Sequence, residues 1–207
     1  YLGGVFYSIS IGMPTGIAAL IVTLQPILTN LLSGPILGEE VTIKQWFGVL
    51  LGFVGAGLVL GLDVGSGIPL LGLIATLIAL IAITASTIWQ KKLSDNLPLP
   101  VSNFYQAVGG CIFHILIIIF FVEPYIEFSQ TFIIAISHQI FLVSFGAFTI
   151  LMYLIKNNSA SKTVSVFFLI PAASAFMAWF FLSENLTTID ILGFLITSIG
   201  VYIATRD

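Results

Sequence analysis

Seven long apolar runs succeed one another along the chain, at 13–37, 45–61, 68–90, 101–122, 131–155, 161–183 and 189–205, with a shorter apolar stretch at 1–10 ahead of them. At about 1.5 Å of rise per residue, crossing about 30 Å of hydrocarbon takes roughly 17 to 25 residues, so each long run suffices. None keeps up the two-residue alternation of a barrel strand, so the pattern predicts helices, which also satisfy their own backbone hydrogen bonds in lipid. The expected fold is an all-α integral membrane protein with seven complete spans plus a partial first span. The opening "YLGGVFYSIS" has neither an initiator Met nor a basic region, and reads as the tail of a span already under way in a longer, N-terminally truncated protein.

The polar breaks between runs fix an orientation. Following the spans in order, Lys44, Lys91, Lys92, Lys156, Lys162 and Arg206 all fall on one side of the membrane. The excess of Lys and Arg in cytoplasmic loops places that side, and with it the C-terminus, in the cytoplasm, which predicts a multi-pass protein of the cytoplasmic (inner) membrane.

The polar punctuation also repeats. "LQPILTNLLSGPILGEEVT" at 24–42 and "LIPAASAFMAWFFLSENLT" at 169–187 each carry a proline inside an apolar run, thirteen residues before a glutamate. A shift of 145 positions matches Pro26 with Pro171, Glu39 with Glu184, Thr42 with Thr187, Gly48 with Gly193 and Gly55 with Gly200. Glycine and proline matches do not follow from apolar composition, so we read an internal repeat. The second copy follows five spans after the first. Five is odd, which turns the copy upside down and predicts the inverted-repeat architecture of secondary transporters. Each proline removes a helical hydrogen bond, from the carbonyl of Val22 or Phe167, and so predicts a kink, either opposite a solute path or as a purely structural bend that helps the helices pack.

Composition narrows the classes. Hydrophobic residues make up 58% of the 207 and charged residues 7%, with a mean hydropathy of +1.15. That is too little charge to cover a water-facing surface. No basic stripe exists to meet phosphates, which excludes nucleic acid as a partner and leaves membrane lipid and a small-molecule substrate. Cys111 is the single cysteine and lies in an apolar run, where a buried small residue is expected.

Candidate chemistry is sparse. Thr23, Pro26, Asn30 and Ser33 share one helical face, a narrow polar wall suited to a cavity, although small polar residues also join membrane helices by packing. The matching residues of the second copy are Phe168, Pro171, Ala175 and Ala178. One half would therefore supply hydrogen-bonding groups and the other an aromatic and small apolar surface. His114 and His138 lie inside apolar spans, where a histidine binds substrate, carries a proton or bonds a neighbouring helix. Trp89 and Tyr105 stand near span ends, as interfacial anchors or substrate contacts. Thr42 and Thr187 read as N-caps with Gln45 and Asp190 at the third helical position, so capping accounts for the polar links around Glu39, Glu40 and Glu184. Proton coupling would run through His114, His138, a glutamate at a span end or helices outside this chain; uniport and exchange fit the residues equally. Asn185 and Asn157 begin tripeptides of the glycosylation pattern. No grouping of residues suggests catalysis, a metal site or a cofactor, so the chain is not expected to be an enzyme.

With "GIAALIVTLQPILTNLLSGPILGEEVTIKQWFGVLLGFVGAGLVL" at 16–60 and "SASKTVSVFFLIPAASAFMAWFFLSENLTTIDILGFLITSIGVYI" at 159–203, the chain resembles the EamA-type members of the drug/metabolite transporter superfamily. The resemblance implies two inverted repeats of five helices, with two helices and part of a third preceding Tyr1. Residues 1–61 would then be the C-terminal part of the first repeat, 62–67 an external linker and 68–205 the second repeat. It also implies a secondary transporter that moves small polar or amphipathic metabolites, amino acids or related solutes among them, by alternating access and in the outward direction. The alternative is a membrane scaffold or sensor of the same architecture that transports nothing.

Overall fold

The computed structural model describes every residue except 62–66, 95–97, 122–124, 183–186 and 207. Glu184 and Asn185, singled out above, lie outside the described residues. The described chain is all-helical: α1 (Leu2–Ser10), α2 (Thr15–Val22), α3 (Gln25–Leu37), α4 (Ile43–Leu60), α5 (Leu70–Ser94), α6 (Leu99–Phe121), α7 (Gln130–His138), a π-helical turn (Gln139–Ala147), α8 (Phe148–Asn157), α9 (Ala160–Ser165), a 3-10 turn (Val166–Phe168), α10 (Leu169–Leu182) and α11 (Thr188–Thr205). Grouped by continuity, these make seven spans long and apolar enough to cross a membrane, among them Thr15–Leu37, Gln130–Asn157 and Thr188–Thr205. The protein is a multi-span, all-α membrane protein.

The chain forms two compact units, Tyr1–Trp89 with Asn158–Asp207, and Gln90–Asn157. In the first unit α4 and α11 are the central pair. Gly48, Gly52, Gly55 and Ala56 turn one face of α4 inward, while Phe47, Leu50, Val54 and Leu58 stay exposed on the other. That outward apolar face suits lipid, since water would leave it uncovered. Gly48 sits against Gly200 and Ala204, and Gly55 against Gly193 and Thr197, so the two helices run antiparallel. They touch backbone to backbone: a Cβ on Gly200 would stand 2.4 Å from the Gly52 nitrogen, and one on Gly48 would stand 2.4 Å from the Ala204 nitrogen. Val49, Ala56, Phe168, Val201 and Ala204 make the adjoining core. A second core of Met13, Ile17 and Ala18, with Ile9, Ile21 and Leu73 against it, joins α1, α2 and α5.

The caps obey the sequence, with one difference between the copies. Thr187 accepts a hydrogen bond from the Asp190 N–H at 3.2 Å, and Asp190 Oδ2 accepts from the Thr187 N–H at 2.8 Å, a reciprocal capping box. Thr42 likewise accepts from the Gln45 N–H at 3.2 Å. The Gln45 side chain does not turn back, however; its Nε2 donates to Ser161 Oγ on α9 at 2.7 Å. A buried amide takes the partner that tertiary packing brings within reach.

In the second unit α6 and the exposed span from α7 to α8 leave few side chains buried. Lys91 Nζ donates to the Lys156 carbonyl at 3.2 Å, which joins the ends of α5 and α8. Cys111, expected to be buried, is exposed on α6. Apolar sequence around a thiol means burial only where water is the solvent, and on a lipid-facing helix it does not.

Candidate functional site

Both proline-bearing spans are interrupted, and at the same place. α2 stops at Val22 and α3 begins at Gln25, while α9 stops at Ser165 and α10 begins at Leu169 after a 3-10 turn. Leu24 (φ −72°, ψ −10°) and its repeat counterpart Leu169 (φ −75°, ψ −15°) adopt nearly the same backbone. The Leu24 N–H bonds the Ile21 carbonyl three residues back, tightening the turn as in a 3-10 helix. Pro26 and Pro171 thus fall in the first turn of a resuming helix, where the missing N–H has no helical partner to lose. The sequence pattern alone suggests a simple kink; the structure has a short helix ending and a new one starting.

The buried side of α3 is polar: Gln25, Pro26, Thr29, Asn30 and Ser33. Gln25 Nε2 donates to Thr87 Oγ1 on α5 at 3.0 Å, and Ser33 Oγ donates to the Asn30 carbonyl at 3.3 Å. Thr29 Oγ1 and both amide atoms of Asn30 are buried without a hydrogen-bond partner. An unsatisfied buried group of this kind costs about 1–3 kcal/mol, so the face is not an optimum for packing.

α3 packs on α9, whose inward residues are Ala160, Ser161, Thr163, Val164 and Ser165. The two meet end on through Glu39. Gly38 terminates α3 with φ 68°, the left-handed conformation natural to glycine, and the Glu39 N–H then closes onto the Ser33 carbonyl. The Glu39 carboxylate consequently reaches the start of α9, where Oε1 accepts from the Ala160 N–H at 2.6 Å and Oε2 from the Ser161 N–H at 3.3 Å. A carboxylate there satisfies free donors and complements the helix dipole. Capping is thus the role of Glu39, but on the other proline-bearing span, not on its own hairpin. Together with Gln45 and Ser161 it clasps the α3–α9 seam at one end.

The remaining candidates are dispersed. Thr23 Oγ1 donates to its own Leu20 carbonyl at 2.7 Å. Phe168 is wholly buried, its ring over Gly52 and edge-on to Phe53 at a centroid distance of 6.5 Å. Pro171 is buried in the first turn of α10. Trp89 in the first unit and Tyr105 in the second are exposed. His114, exposed on α6, bonds the Gly110 carbonyl through Nδ1 at 2.7 Å, and His138 is exposed at the end of α7. The structure thus brings Pro26, Asn30 and the residue missed in the sequence, Thr29, onto one buried face, and leaves the histidines elsewhere. Thr29 stands beside Asn30, and only its inward direction marks it out.

Known proteins agree with this architecture. The family model described as "EamA-like transporter family" matches residues 2–61 and 70–206. The uncharacterized transporter YvbV of Bacillus subtilis is 29% identical over 187 residues, covering 89% of this chain and 61% of that protein. The chain therefore spans about three fifths of that relative's length. A protein of Escherichia coli called "Probable amino-acid metabolite efflux pump" is 27% identical over 212 residues, covering 96% of this chain and 70% of its own. A solved crystal structure superposes with a TM-score of 0.80 at 17% identity, covering 98% of this chain and 70% of the other, a likeness of fold. With nearly its whole length matched, the chain belongs to the EamA-like transporter family.

Proposed function

We propose that the protein is a secondary transporter that carries small polar or amphipathic metabolites, amino acids or related solutes, by alternating access and outward across the cytoplasmic membrane. The observation that carries this reading is the pairing of repeat-related helices. α4 and α11 lie 145 residues apart along their whole length, Ile43–Leu60 against Thr188–Thr205, and run antiparallel with glycine against glycine. Antiparallel copies about a shared axis are what inverted-topology repeats require, and two interrupted spans beside such an axis are the usual walls of a transport site. Residues 1–61 would belong to the first repeat and 68–205 to the second, joined by an external linker at 62–67.

Charge supports the orientation. In the first unit Glu39 meets Ala160 and Gly48 meets Ala204, so Lys44, Lys162 and Arg206 lie near one end. That end would be cytoplasmic, with the C-terminus. The Escherichia coli relative's name, "Probable amino-acid metabolite efflux pump", supports both the solute class and the outward direction. Flux of labelled metabolites through the full-length protein in sealed vesicles, with and without a pH gradient, tests the proposal. Saturable, solute-selective flux is expected; a protein that binds solutes but moves none across the bilayer would instead be a sensor or scaffold.

A further inference from the structure

The polar face of α3 holds a feature that packing does not require. Thr29 is fully buried and Asn30 is 3% exposed, and the hydroxyl oxygen of the first and both amide atoms of the second meet no donor or acceptor. At the matching positions of the second copy the hydroxyl is kept, Ser174 for Thr29, but the amide is not, Ala175 for Asn30, so the amide is not a requirement of the shared helix. Helical side chains slant toward the N-terminus, so Asn30 leans over the first turn of α3, which holds Pro26. Three unsatisfied side-chain atoms therefore gather on one buried face. Nearby, the Glu39 carboxylate and the Gln45 amide hold the seam shut at its end.

Taking the transporter reading as given, we propose that Thr29 and Asn30 form the polar binding position for a net-neutral solute, occluded here and opened when α3 parts from α9. An amide and a hydroxyl offer both donors and acceptors, and so can meet an ammonium and a carboxylate, or a hydroxyl and an amide, with equal ease. Among the described residues every buried polar side chain is serine, threonine, glutamine or asparagine, so apart from the partly exposed Glu39 at the seam's end no group would neutralise a net charge brought against Thr29 and Asn30. A net-charged solute is disfavoured for that reason. The Glu39 clasp is a positioning contact that sets how often the seam opens.

The test uses the full-length protein in sealed vesicles and in detergent. Asn30→Leu with Thr29→Val replaces unsatisfied groups by apolar ones of similar size, so the closed seam should become more resistant to heat while flux of a mixture of labelled neutral amino acids falls at least about tenfold. A merely structural Asn30 would give the opposite on heating, and unchanged flux would overturn the proposal. Thr29→Cys in a Cys111→Ser background gives a second readout, its rate of reaction with a membrane-impermeant thiol reagent. Slow labelling is expected, faster with Glu39→Ala and slower with the neutral mixture, but not with lysine or glutamate. No labelling in any background, or equal protection by the charged amino acids, would overturn the proposal. Wild-type flux that Asn30→Leu leaves intact would remove this site and spare the transporter; ligand protection without wild-type flux would spare the site and remove the transporter.

Discussion

The two helix seams of the first unit answer opposite demands. Between α4 and α11 there is no room for a methyl group at Gly48, Gly55, Gly193 or Gly200, and the atoms that would be struck are mostly backbone. Where α3 packs on α9 the ends are tied by Glu39, just past α3, on the Ala160 and Ser161 N–H groups, with Gln45 of α4 also on Ser161, while Thr29 and Asn30 of α3 remain unsatisfied. Close-packed backbone leaves little freedom even where a group such as Thr197 Oγ1 stays unsatisfied, whereas a seam held by a few polar contacts is the easier one to open on the proposed transport reading. If the protein transports by alternating access as proposed, the comparison places the movement at α3 and α9, about α4 and α11.

Substitutions can break that contrast at either seam. The largest effect is expected for Gly200→Ala, whose added carbon would stand 2.4 Å from the Gly52 nitrogen and 2.8 Å from its Cα; overpacking against backbone should cost about 3 kcal/mol, read from unfolding in detergent. Gly52→Ala meets the Phe168 ring at 2.8 Å instead; because a ring can swing where backbone cannot, the same assay should show a loss of about 1 kcal/mol. At the other seam Glu39→Ala removes two hydrogen bonds to α9. The partly exposed site should lose about 1–2 kcal/mol, with Glu39→Gln losing less because it keeps an acceptor. Thr187→Ala takes away the capping box of α11 and should cost about 1 kcal/mol, visible as earlier fraying of that helix in hydrogen exchange. Gly109→Ala on α6 meets nothing within 4 Å and should be neutral or slightly stabilising, by less than about 1 kcal/mol. Equal losses at Gly200 and Gly109 would mean that the α4–α11 seam is no tighter than any surface helix.

Much of the architecture was legible in the chain. The seven spans follow from apolar length, and the structure begins and ends them within a few residues of the expected bounds. Of the segments that the sequence pattern aligned, α4 and α11 have equal length and Leu24 and Leu169 adopt nearly the same backbone. The caps at Thr42 and Thr187 were equally legible, because capping depends on neighbours three residues away. The candidate site was legible only in part. Asn30 and Pro26 declared themselves by rarity in an apolar run, whereas Thr29 looked like any threonine, and the partner of Glu39 lies 121 residues along the chain.

Local chemistry, then, decided what each segment is. Apolar length makes a span, proline restarts a helix, threonine and glycine end one, and all of these act within a turn or two of the residue concerned. Only the tertiary structure decided which segment meets which. It set Gln45 on Ser161 in place of its own cap, buried the Phe168 ring above Gly52 while Thr23 at the matching position closes on its own backbone, and left Asn30 sealed without a partner. The physical reason is that contacts between helices depend on side-chain volume and direction summed over residues far apart in sequence, and a pattern read along one segment carries no information about the surface it will face.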